Sequence, residues 1–444
     1  MTGFGRFVGA AQAAGALVVQ PRMGMGRPAA MRAGLLATRN AAATTVGTIT
    51  LDSYTRTGEL AAARRAMAED GDLNGYPIVC HEPAVTRSVL HGIADADFPV
   101  QVRHGSARPE RIFQALLAVG LDATEGGPVS YCLPYSRTPL SEAVDSWKRC
   151  CELLAAARAD GVEPHLETFG GCMMGQLCPP GLLVALSVLE GMFFARHGLR
   201  SISLSYAQQA NAAQDEEALR ALARLADELL PEVDRHVVVY AYMGVFPQSP
   251  GGAQLLLDEA ARLSVRTGAA RLIVKTTSEA HRIPTVAENV LALETAAAIA
   301  AAVHRPAPGG PAATGPTATG PTADSGIQAE ARALIDAVLD LHPDLGTALV
   351  LAFAKGYLDV PYCLHPDNAG RSRSSLAADG RLLWAATGSM PIGGSAERGL
   401  APILGSAQLL DALSFVQRSF DRRAFEMPVG PATSTAPREM GRIA

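Results

Sequence analysis

Short apolar, β-branched runs alternate with helically spaced segments along most of this chain, and that alternation limits the fold more than any other feature. The runs are Ala16–Gln20, Val46–Leu51, Tyr76–Cys80, Phe98–Val102, Val129–Leu133, Pro164–Glu167, Ser201–Ser205, Val237–Tyr242 and Ala270–Lys275. Between them lie patterns such as Glu216–Leu230, where Leu219, Leu222, Leu225, Ala226 and Leu229 share one helical face and Pro231 ends it. Strand–helix alternation builds a parallel sheet, and close to eight repeats it closes into a barrel. The expectation is therefore an α/β chain with a (β/α)8 TIM-type barrel over residues 1–304. Nine candidate strands compete for eight places, and periodicity does not say which one is surplus.

Composition changes abruptly after the last repeat. Arg305 to Gly326 reads RPAPGGPAATGPTATGPTADSG, with a direct TGPTA repeat and no apolar period, which is the composition of a linker. A smaller α+β region is expected over 327–425, opening with an amphipathic helix at Ile327–Leu341, and then a polar tail over 426–444. Hydrophobic residues make up 48% and charged residues 18%, so a large core is available. The net charge of -5 comes with no basic tract, which argues against a nucleic-acid partner. Met1–Val19 is apolar and carries Arg6, but it is rich in Gly and Ala and too short to span a bilayer. It reads as part of the barrel rather than as a secretion signal, and no membrane partner is expected. Seven cysteines, among them adjacent Cys150 and Cys151, form no CxxC pair and no metal-ligand spacing; reduced thiols in a cytoplasmic protein are expected, with no metal site.

Polar residues cluster just after the apolar runs. Arg22 follows the first, Asp52 to Arg56 the second, His81 the third, and Arg103 with His104 the fourth; Tyr206, Met243 and Lys275 close later ones. In a barrel all these ends face one mouth, where such enzymes place their chemistry. Arg22, Arg56 and Arg103 come from separate strand ends, and guanidinium groups hold carboxylates bidentately, so three together suit a dicarboxylate. Three independent rim salt bridges are the alternative. Glu125 precedes Gly126 and Gly127, where a ligand can approach the backbone, and its carboxylate suits a substrate ammonium; it could equally be a structural partner of one arginine. Tyr131 and Tyr135, read as alternating with Leu133 along an extended run, can donate neutral hydrogen bonds, although each could instead be a core tyrosine. Lys275, with Glu279 four residues on, admits a Schiff-base lyase or a plain ion pair. Asp340-Leu341-His342 with Gly346 is not the DxHxxG cobalamin signature, since the glycine stands one residue too far and the segment lies on a helix end.

Taken in order, QPRMG (20–24), LDSYTR (51–56), LNGYPIVCH (73–81), RHG (103–105), EGGPVSYCLPY (125–135), MGVFPQ (243–248) and IVKTTSEAHRIPT (273–285) resemble the large (epsilon) subunit of adenosylcobalamin-dependent glutamate mutase, also called methylaspartate mutase. GYLDVPY (356–362) and Asn368-Ala369-Gly370 extend the likeness weakly into the tail. The resemblance implies a barrel whose mouth faces a cobalamin carried by a separate small (sigma) subunit, which supplies the cobalt's axial histidine. Arg22, Arg56, Arg103 and His104 would then hold the carboxylates of L-glutamate, Glu125 its amino group, and Tyr131 and Tyr135 would complete the pocket. Gly24, Asn74, Pro134 and Phe246 would line the corrin, and Lys275, Glu279 and Ile283 would contact the adenosyl group. The implied reaction is homolysis of the cobalt–carbon bond, hydrogen abstraction, and migration of a glycyl fragment to give 3-methylaspartate; Glu125, Lys275 and Glu279 would be its catalytic groups. The family also leaves room for a homodimer of the large subunit. Three segments depart from its pattern: Tyr240-Ala241-Tyr242-Met243 stands where His-Gln-Trp-Met is expected, SYAQQAN (205–211) replaces a more glycine-rich stretch, and Leu166-Glu167-Thr168-Phe169 lacks an arginine. A subunit of this fold that only binds a partner is the remaining alternative.

Overall fold

A computed structural model describes residues 3–69, 73–173, 176–304, 325–392 and 405–426. Eight parallel strands form one sheet: β1 (Val18–Pro21), β2 (Gly47–Thr50), β3 (Val100–Arg103), β4 (Ala123–Gly126), β5 (His165–Thr168), β6 (Ser201–Ala207), β7 (Asp234–Tyr240) and β8 (Arg271–Val274). Their order, β1-β8-β7-β6-β5-β4-β3-β2, is that of a barrel with its seam between β1 and β2. Among the described residues the seam's backbone is joined by one bridge, Val19 with Thr45, in which the Val19 amide donates to the Thr44 carbonyl at 2.9 Å, and by the Thr50 amide donating to the Met23 carbonyl at 2.9 Å.

Two expected strands are corrected. Tyr76–Cys80 contributes one bridge, Tyr76 to Leu51, and then turns, because Pro77 has no N–H to donate to a ladder. Val129–Leu133 is a set of tight turns: the Tyr131 amide donates to Gly127 O (3.2 Å) and the Leu133 amide to Val129 O (3.0 Å). The true fourth strand is Ala123–Gly126, whose sequence ATEG has little β propensity and is made a strand by its neighbours on both sides.

The helix Phe4–Ala13 closes the floor, with Phe4 and Val8 packed on Val18, Val46, Ala123 and Ala270 at the N-terminal strand ends. Above that plug the lumen is polar rather than aliphatic. Gln20 Nε2 donates to Thr48 Oγ1 (2.9 Å) and to Gln101 Oε1 (2.8 Å). The Arg271 guanidinium reaches Gln20, Ser203 and the Glu167 carboxylate, and both members of the Arg271–Glu167 pair are fully buried. His165 bonds Ser201 Oγ (2.9 Å) and Ser203 Oγ (3.0 Å). Burial pushes its imidazole down to about 3, Arg271 adds to the fall, and Glu167 opposes it.

The chain beyond residue 325 is packed onto the barrel. Helix Ile327–Leu339 places Ala331, Leu334, Ile335 and Val338 in the same hydrophobic core as the barrel helix Pro180–Arg196. The antiparallel pair β9 (Arg373–Leu376) and β10 (Leu382–Ala386) is fastened by Gln214, whose side chain bonds both the amide (2.8 Å) and the carbonyl (2.9 Å) of Leu382. Asp421, in the last helix, accepts from the amides of Gln248 (3.0 Å) and Ser249 (2.8 Å). The linker expected over 305–326 and the tail over 426–444 lie almost wholly outside the described residues. Among the described residues one stretch, Val286–Val303, has the length and apolarity of a membrane span. It belongs to the last barrel helix, Val286–His304, which buries Leu293, Ala296 and Ala300 in the core. All seven cysteines are free.

Candidate active site

Arg103, the last residue of β3, is buried, and its Nε donates to Glu125 Oε2 at 2.8 Å. Its Nη2 reaches the Tyr240 hydroxyl at 3.2 Å, and the guanidinium stacks over that ring with its carbon 5.0 Å from the centroid. Nη1 is buried without a hydrogen-bond partner among the described residues. Burial opposes the Arg103 charge, but Glu125, Tyr240, Tyr131 and Glu167 around it hold the group firmly protonated. Glu125 lies on β4 and accepts from Tyr131 on Oε1 and from Arg103 on Oε2, and the Tyr240 hydroxyl oxygen lies 2.7 Å from the same Oε2. Its Oε2 thus faces both Arg103 and Tyr240. His104 accepts the Ser106 amide on Nδ1 (3.0 Å) and stacks on Trp147 with centroids 5.8 Å apart. Burial, with Arg103 adding to it, pushes His104 down to about 3, so it is neutral.

The other two arginines stand at the rim. Arg56 lies on the short helix Ser53–Thr57, which Asp52 caps by accepting the Thr55 amide at 3.0 Å. A Cβ on Gly105 would sit 2.9 Å from Arg56 Cδ, so the arginine stem lies against the glycine that follows Arg103 and His104. Arg56 and Tyr135 line a cavity of about 1160 Å3 at the mouth. Arg22 is 39% exposed and lies 3.6 Å from Glu279 Oε1. Burial raises the Tyr135 phenol to about 12, and the Arg22 and Arg56 charges pull against that rise. Tyr131 is buried and Tyr135 is 41% exposed, so the turns put the two phenols at different depths, not on one strand face.

A second cavity, of about 500 Å3, adjoins β1 and β8 and is lined by Arg22, Gly24, Asn74, Lys275, Glu279 and Ile283. Lys275 Nζ is 2.7 Å from Glu279 Oε1 and 5.0 Å from the centre of the Phe246 ring. Burial pushes Lys275 down to about 8; Glu279 opposes that fall and Arg22 adds to it. Burial raises the Glu279 carboxyl, but Lys275 and Arg22 outweigh it and hold the group below its ordinary range. A Cβ on Gly24 would lie 2.1 Å from the Thr50 carbonyl oxygen, so only a glycine fits there. Asn74 accepts the Ser53 amide at 3.0 Å. Ile283 is 71% exposed, and Pro134 lines a separate cleft beside Tyr362 and Leu364.

Three residues of this region escaped the sequence reading. Tyr240 and Glu167 were noted only as departures from a pattern. Glu190 sits in the otherwise apolar helix Pro180–Arg196, and an acid alone on such a helix is a signal in itself. Its carboxylate collects the amides of Val129 (3.2 Å), Ser130 (2.9 Å), Phe169 (3.2 Å) and Gly170 (2.8 Å) and the Ser130 hydroxyl (3.0 Å). It ties the turn carrying Tyr131 to the turn carrying Phe169. Burial pushes the group up to about 7 against the pull of those donors. A Cβ on Gly127 would lie 2.0 Å from Glu190 Oε1, which explains the second glycine after Glu125.

A sequence profile of the family described as Methylaspartate mutase E chain (MutE) matches residues 2–399. The chain belongs to the methylaspartate mutase E chain family. Relatives named glutamate mutase epsilon subunit include those of Halobacterium salinarum, 31% identical over 75% of this chain and 69% of the relative. Others are from Haloarcula marismortui (30%, covering 75% and 68%) and Desulfitobacterium hafniense (30%, covering 77% and 71%). Among solved structures, an HMG-CoA lyase from Brucella melitensis is similar over 65% of this chain and 98% of its own, at 14% identity and a TM-score of 0.36. Membership in the methylaspartate mutase E chain family makes this a protein of the mutase kind.

Proposed function

We propose that this chain is the large, substrate-holding subunit of an adenosylcobalamin-dependent glutamate mutase, interconverting L-glutamate and 3-methylaspartate. The observation that carries the reading is the buried Arg103, charged and with Nη1 unpartnered, beside the Glu125 carboxylate at the barrel mouth. A buried guanidinium donor without an acceptor is costly, and a substrate carboxylate meets that need. Arg56 and Arg22 at the rim suit the second carboxylate, and Glu125 suits the ammonium. Tyr131 and the neutral His104 add uncharged contacts, with Tyr135 at the edge.

The residues around β1 and β8 fit a bulky, largely neutral cofactor. Gly24 lines the cavity where its backbone packs against Thr50, and Phe246 carries the Lys275–Glu279 pair beside the exposed Ile283. Those residues, with Asn74 and Pro134, would hold adenosylcobalamin. When bound, the group supplies the radical that takes a hydrogen atom from the substrate. Lys275 and Glu279 would orient the adenosyl ribose through their paired charges, and the closed lumen would keep water from the reacting carbon. In this reading the cobalt's axial histidine comes from a small partner subunit.

The test combines the purified chain with such a subunit, adenosylcobalamin and L-glutamate, and follows turnover and product chirality. Absence of turnover in a complex that has formed and taken up cofactor would overturn the reading. A Glu125→Gln variant refines it: glutamate kcat/KM should fall about ten- to a hundredfold, while inhibition by glutarate is maintained or strengthened, since glutarate has no ammonium for the carboxylate to meet and Arg103 loses a competing partner. An unchanged preference between the two ligands would return Glu125 to a structural role. Lys275 lowered to about 8 also meets a requirement of Schiff-base chemistry. Borohydride trapping of a carbonyl substrate on Lys275 would favour a lyase instead.

A further inference from the structure

The Tyr240 hydroxyl, from β7, stands between two carboxylates. It lies 2.7 Å from Glu125 Oε2 on β4 and in closer contact still with Glu167 Oε1 on β5. A phenol carries one proton and can satisfy only one of these oxygens. The other contact would then press two acceptors together with no hydrogen between them. The surrounding donors do not fill that gap. Arg103 gives Nε to Glu125 (2.8 Å) and Nη2 to the Tyr240 oxygen itself (3.2 Å); Tyr131 donates to the far oxygen of Glu125. Arg271 and Ser203 hold the far oxygen of Glu167. Losing the Tyr240 proton would worsen matters. Burial pushes that phenol well above its ordinary range, Arg103 pulls it back, and Glu125, Glu167 and the Cys172 thiol raise it further. Burial also raises Glu167, but Arg271 and Arg103 outweigh it and keep that carboxyl low, so Glu167 is the acceptor of the Tyr240 proton.

We propose that Glu125, Tyr240 and Glu167 share one proton more than two carboxylates and a phenol would hold, and that the chain releases it when a substrate ammonium seats on Glu125. Tyr240 donates to Glu167, and the added proton fills the contact between Tyr240 and Glu125. An arriving ammonium supplies its own N–H donor to Glu125 Oε2, and the displaced proton leaves to buffer. One hydrogen bond replaces another, and no electron moves. Tyr240 is thus a positioning residue: it keeps Glu125 from standing as a bare charge until the amino group arrives. The release step rests on the amino-dicarboxylate reading above, whereas the shared proton does not.

Two measurements test the two halves. Infrared difference spectra of the full chain near pH 7, wild type minus variant, should show a protonated-carboxyl band for both Tyr240→Phe and Glu125→Gln, over the constant contribution of Glu190, which is raised to about 7. No such difference band for either variant would overturn the proposal. Calorimetric titration of the cofactor-loaded complex in buffers of different ionisation enthalpy should find about one proton released per L-glutamate bound and none per glutarate. In Tyr240→Phe neither ligand should release one. Glutamate binding without proton release in wild type would also sink the idea. If neither ligand binds at all, the substrate reading fails, and the infrared comparison alone decides whether the proton is there.

Discussion

Arg103 shows how much one side chain can be asked to do. It pairs with Glu125, bonds and stacks on Tyr240, and keeps one N–H pair uncommitted. Arg103→Lys preserves the charge but not the planar fork, so kcat/KM should drop about ten- to a hundredfold, from about 1.5–3 kcal/mol of lost charge-assisted bonding. Near-normal kinetics would mean that charge alone suffices. Lys275 makes a prediction in pH. Burial lowers its pKa to about 8, so the ammonium that pairs with Glu279 is present below that value and lost as pH rises through it. The kcat/KM profile should fall on its alkaline side near pH 8, and Lys275→Arg should move that limb upward. A profile flat from about pH 7 to about pH 9.5 would exclude the pair from the rate. The sequence made Arg103 and Lys275 legible because charged residues after apolar strands are conspicuous, and Glu125 because two glycines follow it. Tyr240 and Glu167 were not, because what matters is their mutual distance across the lumen, which no spacing along the chain encodes.

At the scale of elements, seven of eight strands were legible as apolar runs, and the eighth was not. Ala123–Gly126 has no β-branched run to announce it and is held in place by β3 and β5. Val129–Leu133 has the right composition, but Glu190, sixty residues away, collects its amides and folds it into turns. A distant carboxylate thus overrode local propensity. The floor makes its own prediction through His165, buried between Ser201 and Ser203 and lowered to about 3. Unfolding restores an ordinary imidazole, so below about pH 6.5 the unfolded chain binds the extra proton and stability declines as pH falls. His165→Gln should lessen that decline by about 2 kcal/mol between pH 7 and pH 5, read from denaturant midpoints. An acid limb identical to wild type would place the sensitivity elsewhere.

Across the whole molecule, the region after residue 325 shields the barrel. From Pro180 through Phe194, helix Pro180–Arg196 is buried and apolar on every side apart from Ser187 and Glu190, because Leu334 and its neighbours cover the face turned away from the sheet. Leu334→Asp would put an unpaired charge into that joint, and we expect a loss above about 4 kcal/mol with aggregation on heating. A melting temperature within a degree or two of wild type would show the cover to be ornamental. The composition break at Arg305 was visible in the sequence, but the shared core was not, since it joins segments well over a hundred residues apart. Finally, the one weak joint of the barrel lies where two of its arginines hang. Arg22 follows β1 and Arg56 follows β2, and among the described residues the backbone joins those strands through the Val19–Thr45 bridge and one amide beyond it, with the Gln20–Thr48 side-chain bond between. A dicarboxylate gripped from both lips would act as a clasp across that gap, so seating the substrate would also fasten the vessel that holds it.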